Sequence, residues 1–136
     1  MVVLRHWILM MCLAMLPSLS TAAQSSVPMV EPAPIPIPQG ITDDQVARVI
    51  KIALIQRSWQ VSAESPGQIE ATLNVRQHQL RETFTYGNGQ IVIKYLDSRE
   101  LGFREEAGVR YIHPKFHNWN ANVAQDINIE FTKMMP

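Results

Sequence analysis

The sequence predicts an α+β domain: an antiparallel four-stranded meander in the order α-β-β-β-β-α, with both helices packed on one face. Three observations carry that expectation. Residues 68–97 alternate apolar and polar side chains with a period of two, as half-buried strands do. Turn chemistry punctuates the alternation at Ser65-Pro66-Gly67 and at Asn88-Gly89. Residues 41–58 and 114–133, on either side, repeat apolar positions every three or four residues, the spacing of amphipathic helices.

At the amino terminus, Arg5 is the only firm charge, residues 7–16 (WILMMCLAML) form a short apolar core, and residues 17–23 (PSLSTAA) are small and polar. That is the pattern of a secretory signal peptide over 1–23, with Thr21 and Ala23 placed for cleavage before Gln24. The apolar run is about half the ~20 residues that span a bilayer, so the mature chain is expected to lack a transmembrane helix. Cys12 is the only cysteine and lies inside the signal. Leu9, Met10 and Met11 before it are not the small residues that precede a lipid-modified cysteine. A mature chain cut after Ala23 has no thiol chemistry and no disulfide. It carries 12 acidic and 11 basic residues, only Arg5 being lost. Neutrality of this kind excludes the basic balance of a nucleic-acid binder. With 136 residues, there is room for one domain.

Residues 24–40 carry prolines at 28, 32, 34, 36 and 38. Alternate prolines remove amide donors and favour extended polyproline II, so this stretch reads as a semi-rigid spacer. The domain proper is expected over 41–133, with 134–136 a tail.

The first helix opens on Thr42, a good N-cap, with Asp43 and Asp44 against the positive end of the dipole. Val46, Val49, Ile50, Ala53 and Leu54 form its apolar stripe, and Arg48, Lys51 and Arg57 fall on a solvated face. Trp59, Val61 and Ala63 then alternate with polar residues. A three-residue loop would pair them with Leu73, Ala71 and Ile69. Between the next two strands, matching apolar faces pairs Ala71 with Phe84 and Ile69 with Tyr86, which puts the turn within residues 76–79. Asn88-Gly89 is the preferred pair for a two-residue type I′ hairpin, in which both residues take positive φ. It pairs Tyr86 with Ile91 and Phe84 with Ile93. A turn is expected over residues 97–100, and residues 101–111 admit either a short hairpin around 105–108 or a loop along the sheet edge. Pro114 suits the first turn of the last helix, whose stripe is Phe116, Trp119, Val123, Ile127 and Phe131.

Four features bear on function. His113 and His117 stand four residues apart, a metal-ligand spacing on a helix, with Tyr111 close by in sequence. Pro114 sets His113 outside the regular helix and no third ligand is near in sequence, so packing or capping competes with metal binding. Glu82 is a carboxylate on the helix-facing side of its strand, expected between Leu73 and Tyr95; burial there would raise its pKa. The outward face aligns Gln60, Thr72, Thr83 and Lys94, a flat polar surface suited to a glycan or a protein, and equally an ordinary solvated face. Lastly, residues 91–96 form a candidate unpaired edge open to an extended partner segment. No glycine-rich phosphate loop or GxSxG elbow occurs, no serine sits in a nucleophile context, and no cofactor is expected.

Over residues 41–133 the chain resembles a group of small exported bacterial proteins, some of them lipoproteins. The resemblance lies in ALIQRSWQV (53–61), PGQIEATL (66–73), IVIKYLDSRELGF (91–103) and YIHPKFHNW (111–119). It implies an α+β domain in the bacterial envelope, and carries no activity with it. The chain departs from the lipoprotein members in having no suitable lipid-acceptor cysteine. The expectation is therefore a periplasmic or secreted, non-enzymatic interaction module, for instance an inhibitor or escort of an envelope component. The alternative is a small-ligand or metal-binding protein using a pocket near His113 and His117.

Overall fold

The computed structural model describes residues 26–136. The expected signal peptide, its cleavage position and Cys12 lie outside the described residues. The described residues are α+β, with two helices and two antiparallel sheets among them.

Ten elements follow in order: β1 (Val27–Pro28), β2 (Ile35–Pro36), α1 (Asp43–Gln56), β3 (Trp59–Ser65), β4 (Gln68–Val75), β5 (His78–Thr85), β6 (Gln90–Arg99), β7 (Arg104–Glu106), β8 (Val109–Ile112) and α2 (Lys115–Met134). The larger sheet runs β2-β6-β5-β4-β3 and the smaller β1-β8-β7. The proline-rich stretch is thus no free spacer. β1 pairs with β8, β2 pairs with β6, and Ile35 is buried. The four-stranded sheet expected from the sequence gains β2 as a fifth strand. The prolines permit this because each pairing is only two residues long and lies at a sheet edge, where a missing donor costs least.

Helix α1 starts as its sequence dictates. The Thr42 hydroxyl accepts from Gln45 N at 3.2 Å, and Gln45 Oε1 accepts from Thr42 N at 2.9 Å, closing a capping box. All five residues of its expected stripe are buried. Arg57 is exposed, as expected of a solvated face, and also grips Asp126 of α2 with two bonds of 2.7 and 3.0 Å. The Arg57 guanidinium holds the Asp126 carboxyl below its ordinary pKa.

Register departs from expectation in three places. In β3–β4, Trp59↔Leu73 and Val61↔Ala71 stand as expected, but Ala63 faces Glu70, with a bulge between Val61 and Ala63. The turn there is Pro66-Gly67, two residues rather than three. Gly67 takes φ +80°, and a Cβ on it would come within 3.2 Å of Tyr86 O. A two-residue turn shifts the register by one, and the bulge at Ser62 absorbs the shift so that Trp59 and Val61 still face inward. In β4–β5, Val75↔His78 closes a two-residue turn in which Arg76 has φ +55°. Ile69 therefore faces Phe84, and Ala71 faces Glu82. A slip of two residues leaves every side chain on the same face, so alternation alone cannot see it.

The β5–β6 pairs Phe84↔Ile93 and Glu82↔Tyr95 are as expected, but the hairpin loop is different. Gly87 and Gly89 take positive φ and Asn88 does not, so this is a wider loop than a type I′ turn. Strand β6 also runs on to Arg99, through the expected turn, with a bulge beside Tyr95. Residues 101–111 form the short hairpin β7–β8.

The inward face of the larger sheet, both helices, Leu101 and Ile112 share one core. Three polar residues are buried with it: Glu82, Asn120 and Glu130. Among the described residues, no helix is long and apolar enough to cross a membrane.

Candidate functional site

Glu82 stands on the middle strand of the larger sheet, between Ala71 and Tyr95, and is wholly buried. The small Ala71 side chain, rather than the expected Leu73, leaves room for it. Neither carboxyl oxygen has a hydrogen-bond partner. Burial pushes its pKa up to about 8, the negative charge of Glu31 adds to the rise, and Asn120 opposes it.

Asn120 comes down on Glu82 from α2 and is 2% exposed. Its Nδ2 donates to Phe116 O at 3.2 Å, one turn back, which fixes the amide orientation. Asn120 Oδ1 is left without a partner. The amide is close enough to weigh on the Glu82 proton, yet no bond of regular geometry joins the two. At neutral pH a protonated Glu82 can donate to Asn120 Oδ1, which would relieve two orphaned acceptors at once. An unmade bond of this kind costs about 1–3 kcal/mol.

Above Asn120 lies a cleft of about 470 Å³ between residues 30–36 and α2. Ile35, Pro32, Pro34 and Pro36 form one wall, Ala121 and Ala124 the other, with His117, Asn128 and Glu31 among the polar lining. The strap over it is pinned at few points. His117 Nε2 accepts from Val30 N at 3.0 Å, and Ile37 N donates to Gly89 O at 2.9 Å. Glu31 Oε1 accepts from Tyr95 N and from Arg110 Nη2, both at 3.2 Å. Glu31 thus caps the edge of β6 with a side chain where a neighbouring strand would place a carbonyl. The edge expected to be open at residues 91–96 is covered by β2 and by Glu31.

The remaining candidates are dispersed. His113 Nδ1 accepts from Lys115 N at 3.0 Å and so caps α2, while its ring lies 5.6 Å from that of His78. Partial burial, then the charges of His78 and Lys115, hold the His113 pKa below its ordinary value. His113 and His117 therefore serve different parts of the chain, one the helix start and the other the strap. Among the described residues, no three His, Cys, Asp or Glu side chains converge as metal ligands. Tyr111 lies on β8, opposite Arg104, whose guanidinium sits 4.5 Å over its ring. Of the expected trio, only His117 lines the cleft.

No protein-family model, curated protein or solved structure matches the chain.

On the outward face the two-residue slip rearranges the expected row. Thr72 faces Gln60 and Arg81, while Thr83 faces Glu70 and Lys94. Arg81 bridges Glu70 and Asp97 across three strands, beside a shallow recess of about 420 Å³. Arg81 is thus already paired there.

Sequence reasoning singled out Glu82 and His117 but missed Asn120, Glu31 and the two alanines. Asn120 did leave a signal: with Phe116, Val123 and Ile127 it occupies positions i, i+4, i+7 and i+11 of one helical stripe. A polar residue on that stripe must be buried. Glu31 left none, because nothing local shows that a proline-rich segment folds back onto a sheet edge.

Proposed function

We propose that the protein is an exported, non-enzymatic binding protein of the bacterial envelope, and that it takes a small ligand in the cleft between residues 30–36 and α2. The signal-peptide pattern of residues 1–23 and the resemblance to small exported proteins support the location. One observation carries the binding reading. The cleft, of about 470 Å³, has apolar walls and converges on a buried amide whose acceptor is unpartnered. Ligand sites typically occupy ~300–1,000 Å³ and combine apolar lining with a few placed polar groups. Neither a nucleophile nor a metal is needed for this role, and Glu82 then serves recognition rather than proton transfer.

Ala121 is exposed on α2 at the cleft wall, so Ala121→Trp fills the cleft without disturbing the core. In a thermal-shift screen of small envelope metabolites, at least one should raise the melting temperature of the unmodified protein and not that of Ala121→Trp. Equal shifts in both proteins would remove the cleft as the site.

A second reading is an interaction module that inhibits or escorts an envelope component through the outward sheet face at Thr72, Thr83 and Lys94. Its support is the open, polar character of that face, with Lys94 and Gln60 exposed. Pull-down from an envelope extract should then recover a stoichiometric partner that Thr83→Arg releases. Recovery unaffected by that change would exclude this face.

A further inference from the structure

We infer that the recess across β4, β5 and β6 binds a hydroxylated monocarboxylate of monosaccharide size, its carboxylate on Arg99 and its hydroxyls against Asp97, Gln79 and Arg81. This site lies on the outward face of the larger sheet, whereas α2, which walls the cleft, covers the inward face. The two therefore stand or fall separately.

At about 420 Å³ the recess falls within the ~300–1,000 Å³ of ligand sites. Every residue that lines it carries a polar side chain: Thr72, Gln79, Arg81, Asp97, Ser98 and Arg99. Thr72, Arg81 and Asp97 stand in one row across three strands, and Gln79 faces Arg99 in the next. Several of these groups are held in place by the protein itself. Arg81 is fixed twice, its Nη1 donating to Asp97 Oδ2 at 2.6 Å and its Nη2 to Glu70. Gln79 Nε2 donates to Asn74 Oδ1 at 3.0 Å, and the Thr72 hydroxyl meets that of Ser62. Those bonds leave Asp97 Oδ1, Gln79 Oε1 and further N–H groups of Arg81 unengaged. Arg99 differs from Arg81. It is exposed, and its guanidinium has no hydrogen-bond or ion-pair partner among the described residues.

Each ligand class answers that lining differently. Two carboxylates already meet Arg81, so Arg99 is the lining cation left without a counter-charge. A carboxylate answers it with two parallel N–H···O bonds. A phosphate dianion would bring a second negative charge beside Asp97. A cation would meet two guanidinium groups, and an apolar ligand would find no apolar wall. A neutral sugar would suit Asp97 Oδ1 and Gln79 Oε1, which accept from hydroxyls, but would leave Arg99 unanswered. One carboxylate on a hydroxyl-bearing frame satisfies both halves of the site.

The test uses D-galacturonate, D-galactose, N-acetylglycinate and inorganic phosphate as probes. Binding to the intact mature protein is followed by NMR through the Gln79 side-chain amide. Galacturonate should bind about fivefold more tightly than each of the others, a preference of the size an exposed bidentate ion pair supports. Added salt should shrink that preference, since Arg99 is exposed. Arg99 anchors nothing in the fold, so Arg99→Gln should leave the denaturation midpoint unchanged while bringing galacturonate down to the level of galactose. Ala121→Trp, which fills the cleft, should leave galacturonate binding as it was. Galactose binding as tightly as galacturonate would overturn the role of Arg99. N-acetylglycinate or phosphate binding as tightly would overturn the role of the hydroxyls. No binding by any probe, or galacturonate binding that survives Arg99→Gln or is lost in Ala121→Trp, would remove the recess as the site.

Discussion

The helix-facing side of the larger sheet has two neighbouring rows that obey different rules. In one, Ile69, Phe84 and Ile93 stack across three strands, all buried, with Trp59 edge-on to Phe84 at 6.2 Å. In the next row of the same face Ala71, Glu82 and Tyr95 stand in the same relation, and beyond them Leu73 and Leu80 are again apolar and buried. Over the Glu82 row the cover is Asn120 and a proline-rich strap held by a few hydrogen bonds. One row is filled by apolar side chains, and the other holds a carboxyl and an amide oxygen with no hydrogen-bond partner. The comparison separates a part of the core that holds the fold together from a part the fold has to tolerate. Tolerated defects of this kind are where binding sites are found.

The sharpest way to break the comparison is to cut each row in turn. Phe84→Ala, in the filled row, should cost about 3–5 kcal/mol in urea unfolding, the range for deleting a buried aromatic ring. A loss below about 1 kcal/mol would mean that this row is not the anchor.

Glu82→Gln, in the other row, should have the opposite sign. The folded state keeps the Glu82 proton up to about pH 8, whereas an unperturbed glutamate loses it near 4.5. Between those values the folded state binds more protons than the unfolded one, so stability falls as pH rises, and it levels off outside the window. At pH 9 the Gln variant should be more stable by up to about 5 kcal/mol, and its stability should be flat across that window. Denaturant midpoints measured from pH 4 to pH 9 would show it. Parallel pH profiles for the two proteins would refute the contrast.

Ile35→Ala sharpens the same contrast at the strap. It should cost about 2 kcal/mol, near the low end for a buried isoleucine, because the strap can yield locally. Amide exchange at Ile37 and Tyr95 should quicken well before that of Ile69. Uniform quickening would make the strap part of the main cooperative unit. The smallest effect is expected at Lys51–Glu64, whose side chains are both more than a third exposed. There Glu64→Gln should change stability by no more than about 0.5 kcal/mol in the same denaturation assay.

The filled row was legible in the sequence and the Glu82 row only half so. Helix α1, its Thr42 cap and its stripe follow from residue spacing, and the Phe84↔Ile93 pairing follows from alternation. What escaped was non-local or cryptic to period two. The Arg76-Gln77 turn carries no glycine or asparagine, so a slip by two residues had no marker, and Glu82 was set opposite Leu73 instead of Ala71. Leu96 opens a bulge that lets Tyr95 and Ser98 meet on one side, and alternation reads that as a strand end. The strap was hidden most completely. Its prolines advertise an extended chain and say nothing about where that chain lies. Glu82 itself was visible as a misfit, but its partner in the misfit, Asn120, needed the helical stripe of α2 to be read for what it excludes.

The measurement that bears most directly on the account is the titration of the Glu82 side-chain carboxyl by carbon-13 NMR in the intact mature protein. A midpoint near 8, well above the ordinary glutamate value, is expected if the carboxyl is sealed behind Asn120 with no donor of its own. A midpoint near 4.5 would mean that water or a donor already reaches it, and the unanswered oxygens on which the cleft reading depends would not exist.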